Sequence, residues 1–285
     1  MIRSKPSRGL PRPNFVKSRS ARTPLRVVTF LAPNLFPVYE FITRVMEKKL
    51  GWPTELWVAR SASDINGHTD LCFLCGLMYV RFTEESGPVL EPLVAPVLQG
   101  KRYADLPIYF SDIIVRTESP FQTFADLRGR SWSYNEPDSQ SGYGITRHHL
   151  LQLNETDGYF GEVVEAGWHE RSIHLVLSGL VDASAIDSHV LAVAFRDDPD
   201  LKTDLRIIGT FGPSTIQPVA AASRLSQALK SELRYLLLEL ADDPEAKAVL
   251  AHSFIDRFVA IKDIDYDDIR DMKASAEQAG FRAIQ

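Results

Sequence analysis

The chain has 285 residues, of which 45% are hydrophobic and 24% charged, enough apolar material for one large domain or two smaller lobes. A formal net charge of −5 argues against nucleic acid as a general partner, because phosphate backbones select an excess of Lys and Arg. No apolar run approaches the ~18 residues of a membrane span.

The charge is unevenly placed. No acidic residue precedes Glu40, whereas Arg3, Lys5, Arg8, Arg12, Lys17, Arg19, Arg22 and Arg26 all do; setting those eight aside leaves 24 basic against 37 acidic residues. Residues 1–23 are therefore expected to be a disordered basic tail, since Pro and Arg at this density build no core. The tail lacks the apolar stretch of a secretory signal, and its Arg- and Ser-rich character faintly resembles an organellar transit peptide. Taken alone, these residues imply a cytoplasmic location.

Order is expected from about Pro24. "RVVTFL" (26–31) reads as a strand. "FPVYEFITRVMEKKLG" reads as a helix, with Val38, Phe41, Ile42, Val45, Met46 and Leu50 at helical spacing and Gly51 at the C-terminal cap. "TELWVA" (54–59) and "DLCFL" (70–74) follow as strands, and "GLMYVRF" opens another element. Cys72 and Cys75, the only cysteines, would sit on opposite faces of the second of these strands, about 10 Å apart and too far for a disulfide. Zinc would need two ligands besides the cysteines, and only His68 is near, so both are expected to be buried apolar thiols. No metal or cofactor is expected.

"LPIYFSDIIVR" (106–116) is long, apolar and β-like. After it the alternation repeats: a short helix at 123–129, strand "RSWSYN" (130–135), a helix over roughly 143–153, strand "VVEAG", helix "SIHLVLSGL" (172–180) and strand "VDASAID" (181–187). "LRIIGTF" (205–211) and "QPVAAAS" (217–223) are further strands. Ser226 caps a helix whose Leu229, Leu233, Leu236, Leu237 and Leu240 make one core-facing stripe. "PEAKAVLAHSF" and "YDDIRDMKASAEQAG" are the last helices. The alternation predicts an α/β protein with largely parallel pairing. It also suggests two lobes, residues 24–110 with 212–285 and residues 111–211, joined by crossings near 107–115 and 208–217. The cleft between them is the natural ligand site.

"PDSQSGYG" (137–144) lies between strand "SWSYN" and the next helix. A helix N-terminus carries unpaired N–H groups and partial positive charge that attract an anion. Ser139, Gln140 and Ser141 add side-chain donors, while Gly142 and Gly144 let the backbone approach a ligand. Plain helix capping by Asp138 or Ser139 reads the same residues equally well. His169 follows another strand and precedes another helix, and Asp187 ends the strand after that. In an α/β layout all three places fall on one edge, at strand C-termini. His169 alone would read as a surface or core histidine, and Asp187 alone as a cap.

Several ordered segments resemble the substrate-binding proteins of phosphate, phosphite and phosphonate ABC transporters, a branch of the type 2 periplasmic binding proteins. "DLCFLCGLMYV" is similar to that family's "vDia-GP-sYv", and "YFSDIIVRTESPFQTFADLRGRSWSYNEPDSQSGY" to "S-iivr…DLkGk…dp-StSG". "GWHERSIHLVLSGLVDASAIDS" is similar to "GsHe…v–G-vDaaaids", and "DRFVAIKDIDYDDIRDM" to its typical tail. The resemblance spans about residues 25–285. It implies the two-lobe fold with two hinge crossings. It also implies that Ser139, Gln140, Ser141, the helix start at Gly142 and His169 hold an oxyanion while Tyr79 of the first lobe closes over it. Asp187 would face the ligand and select a protonated oxyanion or a ligand amine; Gln217 falls at the second crossing, where some members carry a carboxylate. Three departures stand out. Gln140 replaces the middle Thr of the turn and would partly fill a phosphonate pocket. The family's tyrosine after its second strand is missing, with Ala62 or Ser63 in its place. Gln217 and His189 provide no carboxylate for an aminoalkyl tail.

The resemblance thus implies a non-catalytic solute-binding protein with a small anionic ligand, a transporter permease as partner, a periplasmic setting and a monomeric state. Two enzymatic readings remain open beside it. One is a Ser139–His169–Asp187 nucleophilic triad, although no G-x-S-x-G elbow is present. The other is a cytosolic enzyme of cofactor biosynthesis on the same fold. A cytosolic sensor that closes to bind a partner protein is a third possibility. ATP use is not expected without a G-x-x-x-x-G-K-[ST] loop.

Overall fold

The computed structural model describes residues 23–59, 62–87 and 89–285. The expected basic tail lies outside these residues, apart from Thr23. The first stretch holds β1 (Leu25–Thr29), α1 (Phe36–Leu50), β2 (Thr54–Val58), β3 (Leu71–Phe73), α2 (Gly76–Ser86) and β4 (Leu90–Leu98). The middle holds β5 (Ile108–Arg116), β6 (Ser131–Tyr134), α3 (Ile145–Gln152), β7 (Glu162–Glu165), α4 (His169–Leu177), β8 (Ala183–Asp187), α5 (Ser188–Asp197), α6 (Leu201–Asp204) and β9 (Leu205–Thr215). The last holds β10 (Val219–Ala222), α7 (Gln227–Leu238), α8 (Pro244–His252), β11 (Ile255–Ala260) and α9 (Asp267–Gln278). Among the described residues no helix is long and apolar enough to cross a membrane.

Local sequence explains these elements. In α1, Val38, Phe41, Ile42 and Met46 are buried at helical spacing. Gly51 then ends the helix at φ 59° with its N–H on the Glu47 carbonyl, a left-handed cap that a Cβ would oppose. The Ser226 side chain accepts the Leu229 N–H at the start of α7, and Leu229, Leu233 and Leu237 face the core. Leu236 is only half buried, and Leu240 lies in the turn beyond the helix.

The strands form two sheets, one ordered β11-β4-β10-β3-β1-β2 and the other β7-β6-β8-β5-β9. The expected parallel pairing holds only inside each sheet. β1 is parallel to β2 and β3, and β6 to β7 and β8. Every pairing that involves β4, β5, β9, β10 or β11 is antiparallel. Parallel neighbours need a crossover helix; strands that enter or leave a sheet at a crossing lack one and run the other way.

The chain passes from the first sheet to the second between β4 and β5 and returns between β9 and β10. β5 and β9 pair along their length, from Ile108↔Thr215 to Arg116↔Leu205. The expected boundaries at 110/111 and 211/212 therefore fall inside one two-stranded ribbon. Residues beyond α9, expected with the first lobe, turn to the second sheet instead. Phe281 and Ile284 join the buried cluster of Trp132, Tyr159 and Phe160, and the Gln285 carbonyl accepts the Tyr159 N–H at 2.9 Å. α9 itself packs on both α2 and α3.

Candidate functional site

β6, β7 and β8 are parallel, so the segments that follow them emerge on one edge. This brings together the turn after β6, His169 after β7 and Asp187 at the end of β8, as their positions in the sequence predict.

The turn begins with helix capping. Ser139 Oγ accepts the Gly142 N–H at 3.1 Å, and the Ser139 carbonyl accepts those of Tyr143 and Gly144. Gln140–Gly144 is a single π-helical turn that leads into α3. Gly142 is required here because a Cβ would collide with Asn135 Oδ1. Ser139 thus performs the capping role in this conformation. The Gln140 side chain is buried. Its Nε2 donates to Ser214 Oγ at 3.1 Å and reaches Met272 Sδ at 3.1 Å, which ties the turn to the end of β9 and to α9.

His169 opens α4, three residues earlier than expected, with Trp168 at the N-cap. Its Nε2 lies 3.0 Å from Ser141 Oγ, which is 3.5 Å from Ser139 Oγ. Burial pushes the imidazole down to about 3, so the ring is neutral at physiological pH, and its Nδ1 is buried without a partner. An unpartnered buried polar atom is costly unless a ligand or water completes it.

Asp187 caps α5. Oδ1 accepts the His189 and Val190 N–H groups at 2.7 and 3.3 Å, and Oδ2 accepts Gln217 Nε2 at 2.5 Å. Burial raises this carboxyl to about 6 against those donors. Its acceptor positions are thus largely taken by the protein. The imagined triad does not form: Ser141, not Ser139, meets His169, and Asp187 bonds its own helix and Gln217.

Tyr79 is not part of this group. α2 starts at Gly76, which turns residue 79 toward the C-terminal segment, where its hydroxyl donates to Asp263 Oδ1 at 2.6 Å and its ring packs 4.9 Å from Tyr266. It lines a separate depression of about 510 Å³ with Thr83, Glu84, Glu91 and Arg270. The first half faces the turn through Cys75 instead. Cys75 lies beyond β3 as the N-cap of α2, not in the strand as expected, and its Sγ accepts the Gln140 N–H at 3.1 Å. Burial pushes the Cys72 and Cys75 thiols up to about 12 and about 11.

Sequence reasoning missed Tyr109 of β5. It is 1% exposed, and burial, with Cys75 and Asp187 nearby, raises its hydroxyl well above the ordinary tyrosine range while the neighbouring Ser141 side chain opposes that rise. A tyrosine inside an apolar strand reads as core; its position in the crossing ribbon was the available signal. Tyr39 of α1, its ring tilted 30° at 4.5 Å from Phe73, has its hydroxyl raised by burial and then by the charge of Asp187. Among the described residues no cluster of three or more His, Cys, Asp or Glu is arranged to hold a metal.

Together these groups make a buried polar surface of hydroxyls, a neutral imidazole and a helix start between two sheets. The family model for the periplasmic substrate-binding protein of phosphonate ABC transporters matches residues 32–266. The phosphonates-binding periplasmic protein of Escherichia coli K12 is 25% identical over 261 residues, or 88% of this chain and 75% of that protein. In fold, the chain is similar to a binding-protein component of the ABC phosphonate transporter of Pseudomonas aeruginosa, with a TM-score of 0.78, 17% identity, and 90% and 88% of the two chains covered. It is also similar to PhnD1 of Prochlorococcus marinus in complex with methylphosphonate, with a TM-score of 0.75, 17% identity, and 90% and 98% covered. The chain belongs to the family of phosphonate ABC-transporter substrate-binding proteins.

Proposed function

We propose that the chain captures a small oxyanion of the phosphonate, phosphite or phosphate kind between its two sheets and delivers it to a transporter permease from the periplasm, as a monomer. The observation that carries this reading is the line Ser139–Ser141–His169 at a helix start, with the buried Tyr109 hydroxyl beside Ser141 and the His169 Nδ1 left without a partner. Hydroxyl donors and amides suit oxygen-rich anions. The sheets would close about the β5–β9 ribbon, and a ligand that touches both sides favours the closed state. Asp187, held by Gln217 and the start of α5, tunes the pocket from behind and disfavours a fully ionised ligand.

Calorimetry with methylphosphonate, phosphite and phosphate tests this. Ser141→Ala and His169→Ala should each weaken binding of the preferred anion by about 1.5–3 kcal/mol, the worth of a charge-assisted hydrogen bond. Unchanged affinity in both variants would refute the site. Phosphorus NMR after long incubation should return the ligand unaltered; its conversion would mean an enzyme on this fold.

A further inference from the structure

Two acidic residues sit next to the proposed ligand residues in sequence and reach across to the other half. Asp138, immediately before Ser139, forms an ion pair with Arg81 of α2. Glu170, immediately after His169, accepts the Asn34 N–H at 3.1 Å through Oε1. Asn34 lies in the turn between β1 and α1, and its Nδ2 donates to the Val190 carbonyl of α5 at 3.0 Å. Each segment that would hold the oxyanion therefore carries a grip on the first half one residue away.

We propose that Asp138–Arg81 and Glu170–Asn34 form a two-point clamp, one point on each side of the cleft, which sets the balance between open and closed forms before any ligand arrives. The grips differ in strength. The Arg81 and Asp138 side chains are 30% and 32% exposed, and an ion pair that exposed shifts an equilibrium about five-fold at most. At the other point, closure buries Asn34 Oδ1 and Glu170 Oε2 without partners, which opposes it. The clamp is consequently weak enough to release, and the ligand residues move with it because they are its chain neighbours. Asp138, Arg81, Glu170 and Asn34 are positioning residues: they act on affinity through the open–closed balance and not by touching the anion. The proposal rests on the binding reading only for what the cleft holds; the balance itself is a property of the ligand-free protein.

The test is single-molecule energy transfer on the full chain, with dyes at Lys48→Cys of α1 and Lys202→Cys of α6. Without ligand, Arg81→Ala and Asp138→Asn should each raise the open fraction about two- to five-fold. Arg81→Lys should stay near the parent, and the exchange Arg81→Asp with Asp138→Arg should restore it. In the parent, raising salt from about 20 to about 500 mM should open the cleft by screening the pair, and that response should vanish in Arg81→Ala. An open fraction insensitive to salt in the parent overturns the proposal even if a variant misfolds, as does a charge exchange that fails to restore closure in a folded protein. Failure to bind methylphosphonate would sink the functional reading and leave this measurement unaffected.

Discussion

A thiol-specific disulfide reagent near neutral pH should separate the two cysteines by their places in the fold. Cys75 Sγ lies between the halves on the Gln140 N–H, and burial raises its thiol from 9.0 to about 11. In the closed form the reactive thiolate is thus about 100-fold scarcer than at an ordinary cysteine, and the residue is only 9% exposed. Reaction therefore runs through opening. If the open form is the minor state at about 0.1–10% of molecules, Cys75 reacts roughly 10- to 1,000-fold more slowly than a free thiol. A ligand that binds only the closed form slows it further by the factor 1 + [L]/Kd. Cys72 is fully buried in β3, between β1 and β10, and should react only on global unfolding. Spectrophotometric thiol counting in native buffer, with and without anion, and then in denaturant, reads all three phases. Two thiols that react at the free-cysteine rate in native buffer, or Cys72 reacting before Cys75, would refute the placement of both.

Two further variants probe the site from other directions. The raised carboxyl of Asp187, about 6 instead of 3.8, means that folding is penalised as pH rises from about 4 and most fully above about 6. Asp187→Asn keeps a capping side chain and removes that penalty, so urea midpoints should rise at pH 7, by an amount on the order of 3 kcal/mol at most, and stay level near pH 3.5; a loss at both pH values would contradict this sign. Gly142→Ala places a methyl against Asn135 Oδ1 and should cost about 1–3 kcal/mol of stability as an overpacking change, with anion binding lost; a denaturation midpoint equal to the parent's would show that the turn has room.

The sequence made the edge of the second sheet legible because position follows from period: three parallel strands must end together, and the residues singled out end or closely follow them. Side-chain direction was less accessible. Tyr79 matched a motif, yet its hydroxyl is spent on Asp263, a residue 184 positions away that no local pattern connects to it. For Gln140 the length was readable but its partners, Ser214 and Met272, were not. β4 escaped notice because Pro92 and Pro96 argue against a central strand. It survives there with register shifts in both of its pairings, near Ala220 and Arg257. Its burial on nearly every residue also removes the alternation by which strands are recognised.

The return of Phe281 and Ile284 to the Trp132 cluster makes a third passage between the two halves among the described residues. Two adjacent passages alone would leave the halves free to swivel as well as swing. A third, anchored by apolar side chains in the cluster that also holds Ile113, Val115 and Phe211 of the ribbon, works like a strap over a door hinge: it shortens the arc and suppresses twist. An oxyanion should therefore meet nearly the same arrangement of donors each time the jaws shut, with little orientational searching left to do.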